Sequence, residues 1–105
     1  MILRVFIVED EEMIRKGLVH TINWSDMGCL VVGSAADGRS GLSGIVQKRP
    51  DVVITDIRMP EMDGLEMLER ALSAYSFRII LLTSYADFDY ARRAIALRQC
   101  DSLLK

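Results

Sequence analysis

Short apolar runs alternate along this chain with segments that have helical periodicity. The first run, residues 2–8, is rich in β-branched residues and broken only by Arg4, which favours a buried strand. Apolar residues then recur at helical spacing between Met13 and Ile22, behind four acids that suit the positive end of a helix dipole. Residues 30–36 have the pattern of a strand again. The first third of the chain therefore predicts a strand, an amphipathic helix and a second strand.

The same alternation continues to the last residue. Residues 39–49 have helical spacing, although Gly41 and Gly44 weaken this prediction because glycine is a poor helix former. The remaining predicted elements are a strand over 52–55, a helix after Asp63-Gly64, a strand over 78–82, a helix over 88–97 and the start of a fifth strand at 102–104. Near-continuous apolar strands joined by helical crossovers predict the α/β class, with a parallel sheet covered on both faces.

Composition narrows the class of protein. A chain of 105 residues is long enough for one domain. Its net charge of −2 argues against a surface that contacts nucleic acid directly. Cys29 and Cys100 lie far apart and in no metal-binding spacing, which favours a reducing, cytoplasmic location. No apolar run approaches the roughly 20 residues of a membrane helix, and no secretory signal pattern is present, so we expect no membrane contact.

Polar side chains follow four of the five predicted strands. In a parallel α/β sheet, ligands bind beyond the carboxyl ends of the strands, so these positions are candidates for chemistry. In strand order, the residues are Glu9 and Asp10, then Asp56, then Thr83 and Ser84, and finally Lys105. The second strand ends in two alanines and contributes nothing.

This set of side chains suits phosphoryl transfer. Neighbouring carboxylates repel one another, and a hard divalent cation such as Mg²⁺, which prefers oxygen ligands, relieves the repulsion. A lysine such as Lys105 can contact a phosphoryl oxygen as a point charge, and the Thr83 hydroxyl can bond another. A carboxylate can act as the nucleophile and form an acyl phosphate. Asp56 is the best candidate because it lies on the central strand.

Four stretches of the chain together form a family pattern: IVEDEE at 7–12, VVITDIRMPEMDGLEML at 52–68, LLTSYADFDYARRAI at 81–95 and LLK at 103–105. They resemble the receiver domain of two-component response regulators, and the likeness covers essentially the whole chain. In addition, INW at 22–24 and TSYADFDYA at 83–91 look like receivers attached to AraC-type DNA-binding domains. The resemblance implies a flavodoxin-like, doubly wound sheet of five strands in the order 2-1-3-4-5. It also implies one receiver domain over 1–105 that stops at the end of strand five, without the family's fifth helix.

The resemblance also implies a role for each acid. Asp56 would accept a phosphoryl group from a histidine on a sensor histidine kinase. Asp10 would bind Mg²⁺ directly, and Glu9 would bind it directly or through water. The Asp56 carboxylate and the main-chain carbonyl of Arg58 would complete the ligands that the protein supplies.

The remaining implied roles concern switching. Thr83 would bond a phosphoryl oxygen and shift on activation, and Lys105 would pair with Asp56 or its phosphate. The chain would then be a phosphorylation-dependent switch, not an enzyme with a turnover substrate, since it catalyses only its own phosphorylation and dephosphorylation. It would control an output domain, transcriptional and DNA-binding, outside these residues, and homodimerisation is left open.

Three departures from the family pattern lead to further expectations. Ser102 stands where the family usually has an aromatic residue, so the usual coupling of the threonine to an aromatic ring is in doubt. Without a fifth helix, an apolar patch near strands one and five is expected to lower stability or favour association. The bulk of Arg58 and Tyr85, each two residues after a site residue, predicts slow self-dephosphorylation.

Alternative functions use the same residues differently. A degenerate receiver that acts only by protein contact is kept open by Ser102 and by the end of the chain. A small aspartyl-phosphate phosphatase of the haloacid dehalogenase type would have a second acid two residues after Asp56, where Arg58 stands. Flavodoxin-like electron transfer would need a phosphate-cradling loop after strand one, where the acids lie.

Overall fold

Alternating strands and helices make up the described part of the chain. The computed structural model describes the backbone of residues 1–83 and 100–104. In chain order the elements are β1 (Leu3–Val8), α1 (Glu12–Thr21), a 3₁₀ turn (Trp24–Met27), β2 (Cys29–Ala35), α2 (Gly38–Lys48), β3 (Val52–Asp56), α3 (Gly64–Leu72), β4 (Arg78–Thr83) and β5 (Cys100–Leu104). The predicted bounds differ from these by one or two residues. The helix predicted over 88–97 lies outside the described residues.

The strands form one parallel sheet of five strands in the order β2-β1-β3-β4-β5. All four pairings are parallel. The chain moves from β1 to one side to form β2 and then to the other side for β3, so the order reverses beside β1. The predicted doubly wound sheet and its strand order are confirmed. Such a reversal leaves a crevice at the carboxyl ends of β1 and β3, which is where ligands bind in sheets of this kind.

Helices cover both faces of the sheet. The face toward α2 and α3 carries the larger buried cluster, which includes Phe6, Val8, Ile45, Val53, Met67 and Leu68. On the other face, Leu18 and Val19 of α1 and the nearby Trp24 pack on a smaller cluster, which comprises Val5, Ile7, Val52, Ile54 and Leu82. Burial of each such aliphatic side chain contributes about 1.5–3 kcal/mol. The two clusters therefore hold the sheet between two helical layers.

The strand residues under α1 are well covered. Val5 and Ile7 of β1 are 1% and 0% exposed. Exposed apolar side chains near β1 occur instead at its beginning, at Met1, Ile2 and Leu3. The apolar patch that we expected beside strand one is thus restricted, among the described side chains, to the amino end of the strand. The side chains of β5 lie outside the described residues.

The glycines of α2 allow the helix to lie close to β1. A Cβ at Gly41 would come within 2.6 Å of the Met67 sulfur, and one at Gly44 would collide with the Phe6 ring. These residues weaken the intrinsic preference for helix, as expected. The helix forms nevertheless, because close packing of its buried face on the sheet stabilises it.

Candidate functional site

Three carboxylates meet at the carboxyl edge of the sheet. Val8 of β1 pairs with Thr55 of β3, so the residues that follow, Glu9 and Asp56, lie side by side. Glu9, Asp10 and Asp56 each offer one carboxylate oxygen, and these oxygens lie within 4.8 Å of one another. We call these three residues the acidic notch. The convergence of acids that the strand ends predicted is present.

The three acids differ in their exposure. Glu9 is 0% exposed and Asp56 is 6% exposed, whereas Asp10 is exposed to solvent. The Glu9 N–H donates to the Ala35 carbonyl at 3.1 Å, and its Oε2 accepts a hydrogen bond from the Glu11 N–H at 3.2 Å. Burial of two neighbouring carboxylates is costly unless positive charge compensates them. The acidic notch therefore has the carboxylate oxygens that a cation site needs.

Local backbone contacts fix the position of Asp56. The Ile57 N–H donates to Asp56 Oδ1 at 2.7 Å, and the buried Thr55 hydroxyl donates to the Asp56 carbonyl at 2.8 Å. The first residue of α3, Gly64, lies against that carbonyl, where a Cβ would collide with the oxygen. The Gly64 N–H also donates to the Ile57 carbonyl at 2.7 Å. The strand end and the start of α3 thus form one packed unit around Asp56.

The loop between β3 and α3 turns at Glu61, whose φ of 65° lies in the left-handed region. Asp63 caps the start of α3, because its carboxylate accepts the Glu66 N–H at 2.9 Å. The carbonyl of Met62 lies against Gly38, where a Cβ would collide with it. The loop after Asp56 is therefore packed against the beginning of α2.

The other predicted site residues are placed only in part. Arg58 is exposed in a shallow pocket with Met59, Pro60 and Asp63. Its carbonyl as a metal ligand and its effect on dephosphorylation stay predictions. Asp56 pairs with Leu82, so the backbone of Thr83, the next residue, reaches the same edge as the acidic notch.

Several predicted positions cannot be compared with the structure. The side chain of Thr83 and the residues Ser84, Tyr85 and Lys105 lie outside the described residues. For Ser102, the backbone pairs with Leu81 in the sheet. The roles inferred for these side chains stay predictions.

One neighbour of the acidic notch was not identified from the sequence. Arg15 Nη1 of α1 donates a hydrogen bond of 2.9 Å to the main-chain carbonyl of Glu9. The periodicity of α1 indicates only that this helix has an apolar and a polar side. The contact depends on how the 9–11 turn brings the helix back toward the end of β1, which no local pattern shows.

The donor set fits a hard divalent cation. Carboxylate oxygens are the ligands that Mg²⁺ takes in proteins, and an octahedral site places opposite oxygens about 4.1 Å apart. The 4.8 Å limit on the separations in the acidic notch is close to this value. Since Asp10 is exposed, a small rotation of its side chain can bring the oxygens closer.

A shifted pKa occurs at the opposite edge of the sheet. Burial raises the pKa of Tyr75 to about 12, and the neighbouring Arg49 partly opposes this. The Tyr75 hydroxyl donates to the Pro50 carbonyl at 2.8 Å, and the Arg49 guanidinium lies 4.7 Å from the ring centroid. These contacts join the segment after α2 to the segment before β4. They support the fold rather than the acidic notch.

None of the described helices has the length and apolar composition needed to span a membrane.

Comparison with known proteins places the chain in a family. The family described as response regulator receiver domain matches residues 5–105. The chain is 40% identical over 102 residues to the transcriptional regulatory protein HptR of Staphylococcus aureus, a match that covers 97% of this chain and 40% of that protein. The chain thus spans about 40% of the length of such relatives.

Solved structures show the same fold and agree with the predicted subtype. The receiver domain of AraT, a response regulator from Geobacillus stearothermophilus, is 38% identical with a TM-score of 0.89, covering 100% of this chain and 82% of that chain. A two-component transcriptional regulator AraC from Clostridium phytofermentans is 35% identical with a TM-score of 0.89, covering 98% of this chain and 81% of that chain. Receiver domains of this kind are generally signalling domains rather than enzymes. The chain therefore belongs to the response regulator receiver domains of two-component signalling systems.

Proposed function

We propose that this chain is a Mg²⁺-dependent phosphoacceptor switch in which Asp56 accepts a phosphoryl group from a sensor histidine kinase. The observation that carries the proposal is the acidic notch, where one oxygen from each of three carboxylates lies within 4.8 Å of the others. Glu9 adds negative charge beside Asp56 in a place where burial makes that charge costly, and the exposed Asp10 supplies a third carboxylate. A bound cation would offset this cost, and the same site carries the nucleophile.

The contacts of Asp56 suit a nucleophile held in one orientation. The Ile57 N–H donates to Oδ1 at 2.7 Å, which restrains the orientation of the carboxylate. A bond forms between an oxygen of the Asp56 carboxylate and phosphorus as the bond from phosphorus to the kinase histidine breaks, and the electron pair of that bond returns to the imidazole. Fixed positioning of the nucleophile supplies much of the rate enhancement in such transfers.

The remaining residues would neutralise and bind the transferred group. Glu9, Asp10, Asp56 and the carbonyl of Arg58 would hold Mg²⁺, which when bound offsets negative charge on the phosphoryl oxygens. The Thr83 hydroxyl would bond one of those oxygens. Lys105 would pair with the carboxylate or its phosphate.

The matched relatives indicate which partners this chain would have. The matched proteins include transcriptional regulators, and this chain corresponds to about 40% of the length of HptR. We propose that residues 1–105 form the receiver domain of a cytoplasmic regulator and control a DNA-binding output domain outside these residues. A second copy of the chain remains a candidate partner on activation.

The two rival functions have less support. A receiver that acts by contact alone would not need three converging acids, two of them buried. An aspartyl-phosphate phosphatase would need a general acid two residues after Asp56, and that residue is the exposed Arg58.

Incubation with a small-molecule phosphodonor and Mg²⁺, followed by intact-mass spectrometry, tests the proposal. We expect one added phosphoryl group on the wild-type chain, none on Asp56→Ala, and none when a chelator removes Mg²⁺. Glu61→Gln, which alters an exposed acid in the same loop, is the matched control and should be labelled like the wild type. A wild-type chain that gains no phosphoryl group would favour the contact-only receiver.

A further inference from the structure

A guanidinium lies directly behind the acidic notch. Arg15 Nη1 donates to the Glu9 carbonyl oxygen at 2.9 Å, and the contact is partly buried. Glu11 and Glu12 lie within four residues of Arg15, yet among the described residues the guanidinium takes part in no ion pair. Glu12 is bound instead by Lys16 at 2.8 Å. The Arg15 side chain is therefore directed at the main chain of the acidic notch rather than at the nearby acids.

The carbonyl that Arg15 binds belongs to the peptide joining Glu9 to Asp10. On the other side of Glu9, its N–H is held by the Ala35 carbonyl at 3.1 Å, and its carboxylate is held by the Glu11 N–H at 3.2 Å. The exposed Asp10 carboxylate makes no side-chain hydrogen bond with a described residue. The backbone of Asp10 consequently sets where its side chain starts, and the hydrogen bond from Arg15 to the Glu9 carbonyl restrains that backbone.

We propose that Arg15 is a positioning residue for the metal site: by holding the Glu9 carbonyl, it orients the Glu9–Asp10 peptide so that the Asp10 carboxylate converges with Glu9 and Asp56 on a divalent cation. The inference rests on the proposed function, because it assigns Arg15 to the site where Mg²⁺ would bind. A hydrogen bond from an ionised donor is shorter and stronger than a neutral one, and partial burial strengthens it further.

Two effects of Arg15 on cation binding oppose each other. As a positive charge near the acidic notch, it repels an incoming cation, and partial burial of its contact with Glu9 limits how far salt screens this repulsion. As a donor, it organises the ligands before the cation arrives. Loss of one charge-assisted hydrogen bond changes an equilibrium by about tenfold or more. The proposal requires positioning to be the larger effect, so that removal of the guanidinium weakens binding.

Calorimetric titration of the chain with Mg²⁺ measures the sign of the effect. Arg15→Met keeps the apolar stem and removes the donor, and we expect about tenfold weaker binding. Arg15→Lys restores a charged donor on a stem of similar length and should recover much of the lost affinity. Lys16→Met removes the same unit charge from the next position of α1, where the ammonium binds exposed Glu12, and should leave affinity within about twofold of the wild type.

The outcomes separate the two proposals. Unchanged or tighter binding by Arg15→Met, or equal weakening by Lys16→Met, would show that Arg15 does not position the ligands while leaving the metal site itself intact. No binding of Mg²⁺ by the wild-type chain would overturn both. If circular dichroism shows that Arg15→Met does not fold, Arg15→Gln takes its place, since glutamine is too short to reach the carbonyl and should also bind about tenfold more weakly.

Discussion

At the scale of single residues, the position of Asp56 results from unusual backbone contacts close to it. The loop after it turns at Glu61 in the left-handed region, and Gly64 lies against the Asp56 carbonyl. Left-handed geometry is unfavourable for a residue with a Cβ by about 1–2 kcal/mol. The side chain of Glu61 gives little in return, because its contact with Arg39 is 3.9 Å long and exposed. Glu61 therefore contains backbone strain that its own side chain does not offset.

Glu61→Gly is expected to raise the free energy of unfolding by up to about 1 kcal/mol, because glycine adopts positive φ without strain. Urea denaturation measures the change. Arg49→Gly is the control: its φ of 49° is also left-handed, but Arg49 contacts the Tyr75 ring and the Ala74 carbonyl. The loss of those contacts should cancel the gain. An equal increase in both variants would show that the Arg49 contacts contribute nothing.

At the scale of elements, the two amino-terminal helices pack differently on the sheet. α1 has no buried residue, and Met13 on its surface is 86% exposed. α2 lies close enough to the sheet that Gly44 meets the Phe6 ring, and its Ile45 is 0% exposed. Helical periodicity is visible in both segments, so the sequence predicts both helices. It does not show how near each one lies to the strands, because that distance depends on side chains from other elements.

Two glycine substitutions distinguish these helices. Gly17→Ala in α1 is expected to increase the free energy of unfolding by about 0.5–1 kcal/mol, because nothing lies within 4 Å of the added Cβ and alanine favours helix. Gly44→Ala in α2 is expected to reduce it by about 1–3 kcal/mol, because the methyl group collides with Phe6. Thermal or urea unfolding gives both values. A stabilising Gly44→Ala would contradict the close approach of α2.

At the scale of the whole molecule, the two edges of the sheet have different roles. The carboxyl edge carries the acidic notch, and the amino edge carries contacts that join separate segments. There Arg4 donates from its main chain to Asp51 Oδ2 at 2.8 Å and from its side chain to the Arg49 carbonyl at 3.1 Å. Tyr75 completes this group from the segment before β4. The acidic notch and the hydrogen bonds that join separate segments thus lie at opposite ends of the strands.

Stability should depend on the ionisation of Tyr75 at high pH. Burial raises the pKa of Tyr75 in the folded chain from 10.0 to about 12. Since the folded state disfavours the phenolate, this contribution is fully present below pH 10 and is lost as the pH rises through 12. The difference in unfolding free energy between the wild type and Tyr75→Phe should therefore decrease over that range. A constant difference would mean that partial burial does not raise the pKa of this hydroxyl.

The sequence by itself determined the class of the fold and the identity of the acids. Strand and helix periodicities arise from local burial, so they are visible in 1–8, 13–22 and 52–55 without knowledge of any partner. Parallel crossovers then require that the ends of β1 and β3 meet at one edge, which is why Glu9, Asp10 and Asp56 could be grouped in advance.

Only the tertiary structure decided how those acids are held. The bond from Arg15 to the Glu9 carbonyl, the contact of Gly64 with the Asp56 carbonyl and the different burial of Glu9 and Asp10 arise where separate elements pack together. Such contacts depend on distances between segments that are remote in sequence or separated by a turn. Local periodicity carries no information about those distances, because it reports which face of an element is buried and not what lies against it.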